Sequence, residues 1–254
     1  METKRCLGRL LSVVIPLLLL NRTPAAVYYG NNDTTAGGVV GQGSVSFTSD
    51  STTLYGNFTK GPDLFGESLV FWIDSTAGGL HDTTSITDNG SYAVRCVSGR
   101  SGINPQNKSS VVFAGDFYAD YAVVVNGYQN YGAVFRLNSD GSVQRLADVT
   151  TSPSSIDTAS AYQFSVAWSN LGQPGTGDHS ARFESTYITK QGALYFESFE
   201  QLTGTLSATP GYGTATFGTY DIFPVPEPIH LALAAFGAVA GSIGVVRWVR
   251  RRPA

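Results

Sequence analysis

Hydrophobic positions in this chain follow two regimes. Near each end stands one long, nearly unbroken apolar run. Between them the apolar residues come in short stretches, many alternating with polar ones. Val45 and Phe47 alternate with Ser and Thr within residues 39–48. Short apolar stretches follow at 54–58, 69–73, 111–113, 121–125 and 133–137, bounded by Gly, Pro, Asp or Asn. A period of two predicts half-buried strands, and short continuous runs between turn residues predict fully buried ones. Residues 138–142, Asn-Ser-Asp-Gly-Ser, predict a tight turn that returns the chain as a partner strand over 143–149. Residues 162–168, 181–188 and 214–222 supply later strands. Residues 92–97 also alternate, which places Tyr92, Val94 and Cys96 on one strand face. The period of Leu194, Phe196 and Phe199 fits a strand or a short helix over 193–202. About ten short strands separated by Gly/Ser/Asp turns predict an all-β fold, an antiparallel β-sandwich or jelly roll, over residues 27–223.

The two terminal runs do not belong to that fold. Residues 10–20 are apolar apart from Ser12 and Pro16, and follow Lys4, Arg5 and Arg9. As a helix they would span about 16 Å, short of a hydrocarbon core of about 30 Å. A positive start, a short apolar run and the small residues Ala25 and Ala26 make a secretory signal peptide over 1–26. An uncleaved N-terminal anchor is the alternative. The second run, residues 229–246, carries no formal charge and extends through Arg247 and Trp248 to Val249. It spans about 31 Å as a helix, enough to cross a bilayer, and predicts a transmembrane helix over 228–249. Arg247, Arg250, Arg251 and Arg252 close it, and the positive-inside rule places residues 250–254 in the cytoplasm. Val225, Pro226, Glu227 and Pro228 precede the span. Two prolines around one acid hold that segment extended, in a form a peptidase cleft can take.

Composition and charge narrow the middle. Only 14% of residues are charged and 29 are Gly. Soluble domains carry about 25% charged residues, so a coiled coil, a basic nucleic-acid binder and a charge-driven disordered chain are excluded. The whole chain has a formal charge of −3, but residues 27–223 hold seventeen acids against eight bases. This acidic region argues against nucleic acid as a partner and permits cation binding. Of the two cysteines, Cys6 lies in the leader. Cys96 then has no second cysteine for an intramolecular disulfide and is expected as a small buried residue.

An extended Val-Pro-Glu-Pro, one span and an arginine cluster, in that order at the end of the chain, resemble the PEP-CTERM sorting signal of Gram-negative bacteria. The resemblance covers 225–254. It departs from the usual pattern in having Ile229 and His230, where that family usually has a small hydroxyl residue. It implies recognition by an exosortase near Pro226-Glu227-Pro228. It also implies export through the inner membrane to the cell surface or extracellular matrix of an exopolysaccharide-producing bacterium. An ordinary single-span anchor behind a Pro-rich hinge is the alternative. Residues 69–74 followed by Thr76-Ala77-Gly78-Gly79, together with residues 117–123, loosely resemble DOMON and family-nine carbohydrate-binding sandwiches.

Candidate chemistry is sparse. His81 and His179 sit in polar stretches and read as solvated loop residues without metal-ligand spacing. No nucleophile elbow or P-loop is present. A carboxylate pair brought together only by folding stays open. Asp74, Asp116 and Asp120 fall at predicted strand ends, where hard oxygen ligands could hold Ca²⁺ or could cap turns. Tyr118, Tyr128 and Tyr131 are candidate glycan contacts, and Trp72 is expected in the core. The expectation is a non-enzymatic, exported surface protein with a structural or adhesive role in an exopolysaccharide matrix. Its partners would be an exosortase, the membrane through 229–249 and extracellular polysaccharide. A carbohydrate-binding protein and a polysaccharide hydrolase are the alternatives.

Overall fold

A computed structural model describes residues 25–31, 38–101, 104, 106–127, 132–154, 159–174, 179–188, 195–205 and 213–223. The predicted leader up to residue 24, the sorting motif, the span 228–249 and the arginine cluster lie outside the described residues. Among the described residues no helix is long and apolar enough to cross a membrane.

The chain is mostly β. Strands β1 (Ala26–Tyr29), β2 (Ser44–Ser49), β3 (Thr53–Thr59) and β4 (Ser68–Asp74) lead into one α-helix, α1 (Tyr92–Ser98). There follow β5 (Ser110–Val112), β6 (Tyr121–Asn126), β7 (Gly132–Leu137), β8 (Val143–Val149), β9 (Ala161–Ala167) and β10 (Arg182–Ile188). The last strands are β11 (Tyr195–Glu197), β12 (Leu202–Thr205), β13 (Thr214–Phe217) and β14 (Asp221–Ile222). One antiparallel sheet has the order β1-β2-β3-β9. The central sheet runs β11-β10-β4-β6-β7-β8, with β14 also paired to β10. A small third sheet, β12-β13-β5, pairs β13 with β5 in parallel.

Burial follows from the patterns. β2 and β3 alternate buried and half-buried positions, so each covers a core with one face only. β4 and β6 are continuous apolar runs, buried on both faces, and they pair in the middle of the central sheet. Phe71 of β4 faces the four-stranded sheet, with its ring 5.4 Å from Phe47 and 5.7 Å from Phe164. The next residue, Trp72, points to the opposite face. Its ring lies 5.3 Å from Phe113, and its indole N–H donates to the Thr186 hydroxyl at 3.1 Å. Two apolar clusters therefore flank the central sheet. The first joins it to the four-stranded sheet, and the second gathers α1, β5 and β13 with residues such as Val97 and Phe217. Truncating a side chain such as Phe71 would cost about 3–5 kcal/mol, the lost transfer energy plus a cavity.

Residues 92–97 differ from expectation, forming α1 and not a strand. Ser91 Oγ accepts the Val94 N–H at 3.3 Å, an N-cap. Gly99 at φ 69° closes the helix in the left-handed conformation, its N–H donating to the Arg95 carbonyl. Ala93, Val94, Cys96 and Val97 all face the core, a spacing that a helix buries on one face. Cys96 is buried as expected, and that burial pushes its thiol up to about 11. Of segment 193–202, the described residues 195–202 divide into β11 and the start of β12, with a bend between. The predicted hairpin at 138–142 forms between β7 and β8. There Asp140 Oδ1 accepts the N–H and hydroxyl of Ser142, at 2.9 and 2.7 Å.

Candidate functional site

The aspartates singled out in the sequence converge at one end of the central sheet. Asp74 closes β4, and Arg182, opening β10, lies directly opposite it in the antiparallel register. The Arg182 guanidinium bridges Asp74 and Asp116, pairing with Asp74 and reaching Asp116 Oδ2 at 2.8 Å. It also donates to the Asp116 carbonyl at 2.7 Å and lies 4.5 Å over the Tyr220 ring. Asp74 Oδ2 accepts the Tyr118 N–H at 3.1 Å. The hydrogen bond from Arg182 holds the Asp116 carboxyl below the usual carboxylate range. Asp74 and Asp116 thus share the positive charge of one arginine, Arg182.

Asp120 has a different task. It precedes β6, is 5% exposed, and its Oδ2 accepts the backbone N–H groups of Ser75 and Thr76 at 3.1 and 2.9 Å. Burial raises its pKa despite those donors. It fastens the Gly-rich loop after β4. That loop is held from the other side, where the Ser75 hydroxyl donates to the Leu171 carbonyl at 2.6 Å. Gly79 takes φ +85°, and a Cβ there would stand 2.7 Å from the Tyr118 carbonyl oxygen, so only glycine fits without displacement.

Between this loop and the β7–β8 turn lies a pocket of about 210 Å³. Thr76, Gly78 and Gly79 form one wall, Asn138 and Ser139 another, and Asp120 and Arg136 also line it. Arg136 is exposed on β7, and its guanidinium has no ion pair or hydrogen bond among the described residues. The arrangement offers a cation, a carboxylate, hydroxyls and an amide around one opening. It can recognise a small polar ligand by hydrogen bonds. Among the described residues no group of three or more His, Cys, Asp or Glu is placed to hold a metal ion.

Tyr118 lies beside this end of the sheet, 45% exposed, its ring 5.3 Å from His81. Tyr128 and Tyr131 lie outside the described residues. His179 is not a solvated loop residue. It is 2% exposed, stacks on Trp168 at 4.7 Å, and its Nε2 meets the Ser51 carbonyl at 2.9 Å. Trp72 is fully buried.

Sequence reasoning missed Arg136 and three buried glutamates. Glu184 Oε1 accepts the Ala114 N–H at 2.9 Å, and burial pushes its carboxyl up to about 9. Glu200 Oε2 accepts the N–H and hydroxyl of Ser185 at 2.8 and 2.7 Å, and burial pushes it up to about 8. Glu197 Oε2 accepts the Val40 and Gly41 N–H groups at 2.5 and 2.7 Å, and burial raises it too. The sequence did carry a signal for two of them. Arg136 stands between Phe135 and Leu137, and Glu184 follows Phe183, both inside strands otherwise read as apolar.

The chain matches no family model, no curated protein and no solved structure.

Proposed function

We propose that this chain is an exported protein, sorted by an exosortase-type system, whose β-sandwich domain has a structural or adhesive role at the cell surface or in an exopolysaccharide matrix. One observation carries the reading. The residues Val225-Pro226-Glu227-Pro228, an uncharged run of a length that would span a bilayer as a helix, and the cluster Arg247, Arg250, Arg251 and Arg252 follow one another in that order in the sequence. The chemistry of the folded part agrees with that role. Asp74, Asp116 and Asp120 all serve to hold neighbouring segments together. The two-sided burial of the central sheet supports the sandwich class.

The decisive experiment is mass-spectrometric mapping of both termini in protein recovered from surface and medium. An N-terminus beginning at Ala26 or Val27 and a C-terminus near Pro226 to Pro228 are expected. A chain recovered intact to Ala254 overturns exosortase processing and leaves a single-span anchored protein.

A second reading, saccharide binding, is favoured by the pocket lined by Asp120, Arg136, Asn138 and Ser139. Hydroxyl, amide, carboxylate and guanidinium groups around a shallow opening suit a polyhydroxylated ligand. Immobilised matrix polysaccharide retains the protein in this reading, and soluble oligosaccharide competes it off.

A further inference from the structure

The folded domain spends its arginines on its own carboxylates and carbonyls. Arg182 bridges Asp74 and Asp116, Arg145 pairs with Asp148 at 2.8 Å, and Arg95 donates to the Gly90 carbonyl. Arg136 breaks that habit. It is exposed, faces the pocket and has no partner among the described residues, in a region where acids outnumber bases two to one. An arginine left unpaired in so acidic a domain is free to take an anionic group from outside. Its planar fork matches a carboxylate bidentately.

The opposite chemistry lies in the same pocket. Asp120 belongs to its lining, and two backbone N–H groups fix its carboxylate in place. An ionised carboxylate has about four acceptor positions, so two N–H bonds and the Thr76 side chain still leave one for a ligand hydroxyl. No ion pair joins Asp120 to Arg136. The chain thus presents a fixed acceptor and a free cation to one occupant. The volume of about 210 Å³ lies below the ~300–1,000 Å³ that drug-sized ligands fill, so it suits one ring-sized unit. Both walls are turns whose backbone is pinned, by Asp120 and Leu171 on one side and by Asp140 on the other. The pocket is therefore formed before a ligand arrives, which lowers the ordering cost of binding.

We propose that this pocket binds one uronic acid unit of an acidic polysaccharide, with Arg136 taking the sugar carboxylate and Asp120 accepting a ring hydroxyl. This rests on the saccharide-binding reading and adds the charge of the sugar to it.

The test is calorimetric titration of the full-length chain in detergent. The probes are trimers of glucuronate, galacturonate and mannuronate, the methyl ester of each, and free glutamate. At least one uronate trimer should bind, its uncharged ester about tenfold or more weaker, as loss of one charge-assisted bidentate contact implies. Arg136→Gln should weaken the acid by a similar factor and the ester much less, so that acid and ester bind nearly alike, with an unaltered circular dichroism spectrum. Equal binding of acid and ester overturns the uronate assignment and leaves saccharide binding standing. Binding of glutamate alone overturns it in favour of a zwitterion site. No binding of any trimer or ester overturns both the assignment and the saccharide reading.

Discussion

Replacing Glu184 with Gln tests whether buried carboxylic acids are held protonated in this fold. Glu184 is fully buried on β10, and its Oε2 has no hydrogen-bond partner among the described residues. Burial is the main cause that pushes it up to about 9, and the charge of Glu200 adds to it. A folded-state pKa raised above the unfolded value contributes stability that is fully present below about pH 4.5. That contribution is lost as pH rises toward the folded value. Each pH unit in that window costs about 1.4 kcal/mol per group, so Glu184 alone withdraws about 4 kcal/mol between about pH 5 and pH 8. Domains of this kind hold about 5–15 kcal/mol in total, so the effect is readily measured. Gln keeps an oxygen for the Ala114 N–H and never ionises. In urea titrations across that range the wild-type protein should lose stability steadily, with Glu200 adding its own share. Glu184→Gln should flatten the slope by about one proton. It should gain about 2–4 kcal/mol near pH 8 and match the wild type within about 1 kcal/mol near pH 5. A wild-type stability that stays level or rises with pH, or a variant weaker than wild type near pH 8, would refute the reasoning.

Three further outcomes follow from single contacts. Arg182→Ala strands Asp74, whose side chain is 11% exposed, and should cost about 2–3 kcal/mol in chemical denaturation; the exposed Asp116 adds little to that. Gly79→Ala sets a Cβ against the Tyr118 carbonyl at positive φ, so it should cost about 2 kcal/mol and lower Tm by roughly 5 °C in a thermal melt. Ser91→Ala removes the N-cap of α1 and should cost about 1 kcal/mol, whereas Ser91→Asp should restore it. If both Ser91 variants match the wild type, the cap is not stabilising the helix.

Much of the fold was legible because strands declare themselves by period. The alternation of β2 and β3 marks one buried face, and the unbroken apolar β4 marks two. The turn at 138–142 was legible because Asp140 and Gly141 supply local hydrogen bonds and a positive φ without tertiary help. Residues 92–97 read as a strand because Tyr92, Val94 and Cys96 happen to alternate. The better signal was the Ser91 cap with Gly99 eight residues on, enclosing apolar positions at helical spacing.

The aspartates of the candidate site were found, but their roles were not. An aspartate at a strand end looks the same in sequence whether it holds a metal, caps a loop or meets an arginine. Which of these it does depends on what lies across the sheet. Arg182 is 108 residues from Asp74, and only the pairing of β10 with β4 sets them side by side. Arg136 becomes noteworthy only because its neighbours leave it unpaired, which is a property of the packed surface.

The sequence by itself determined the strand-rich architecture, the acidity of residues 27–223 and the burial of Trp72 and Cys96. These follow from short-range pattern and composition. The tertiary structure alone decided the order of strands in three sheets, the parallel pairing of β13 with β5, the burial of His179 and of three glutamates, and the pocket between two turns. Each of those depends on residues distant in the chain, and on desolvation, which acts only once the layers have closed over them.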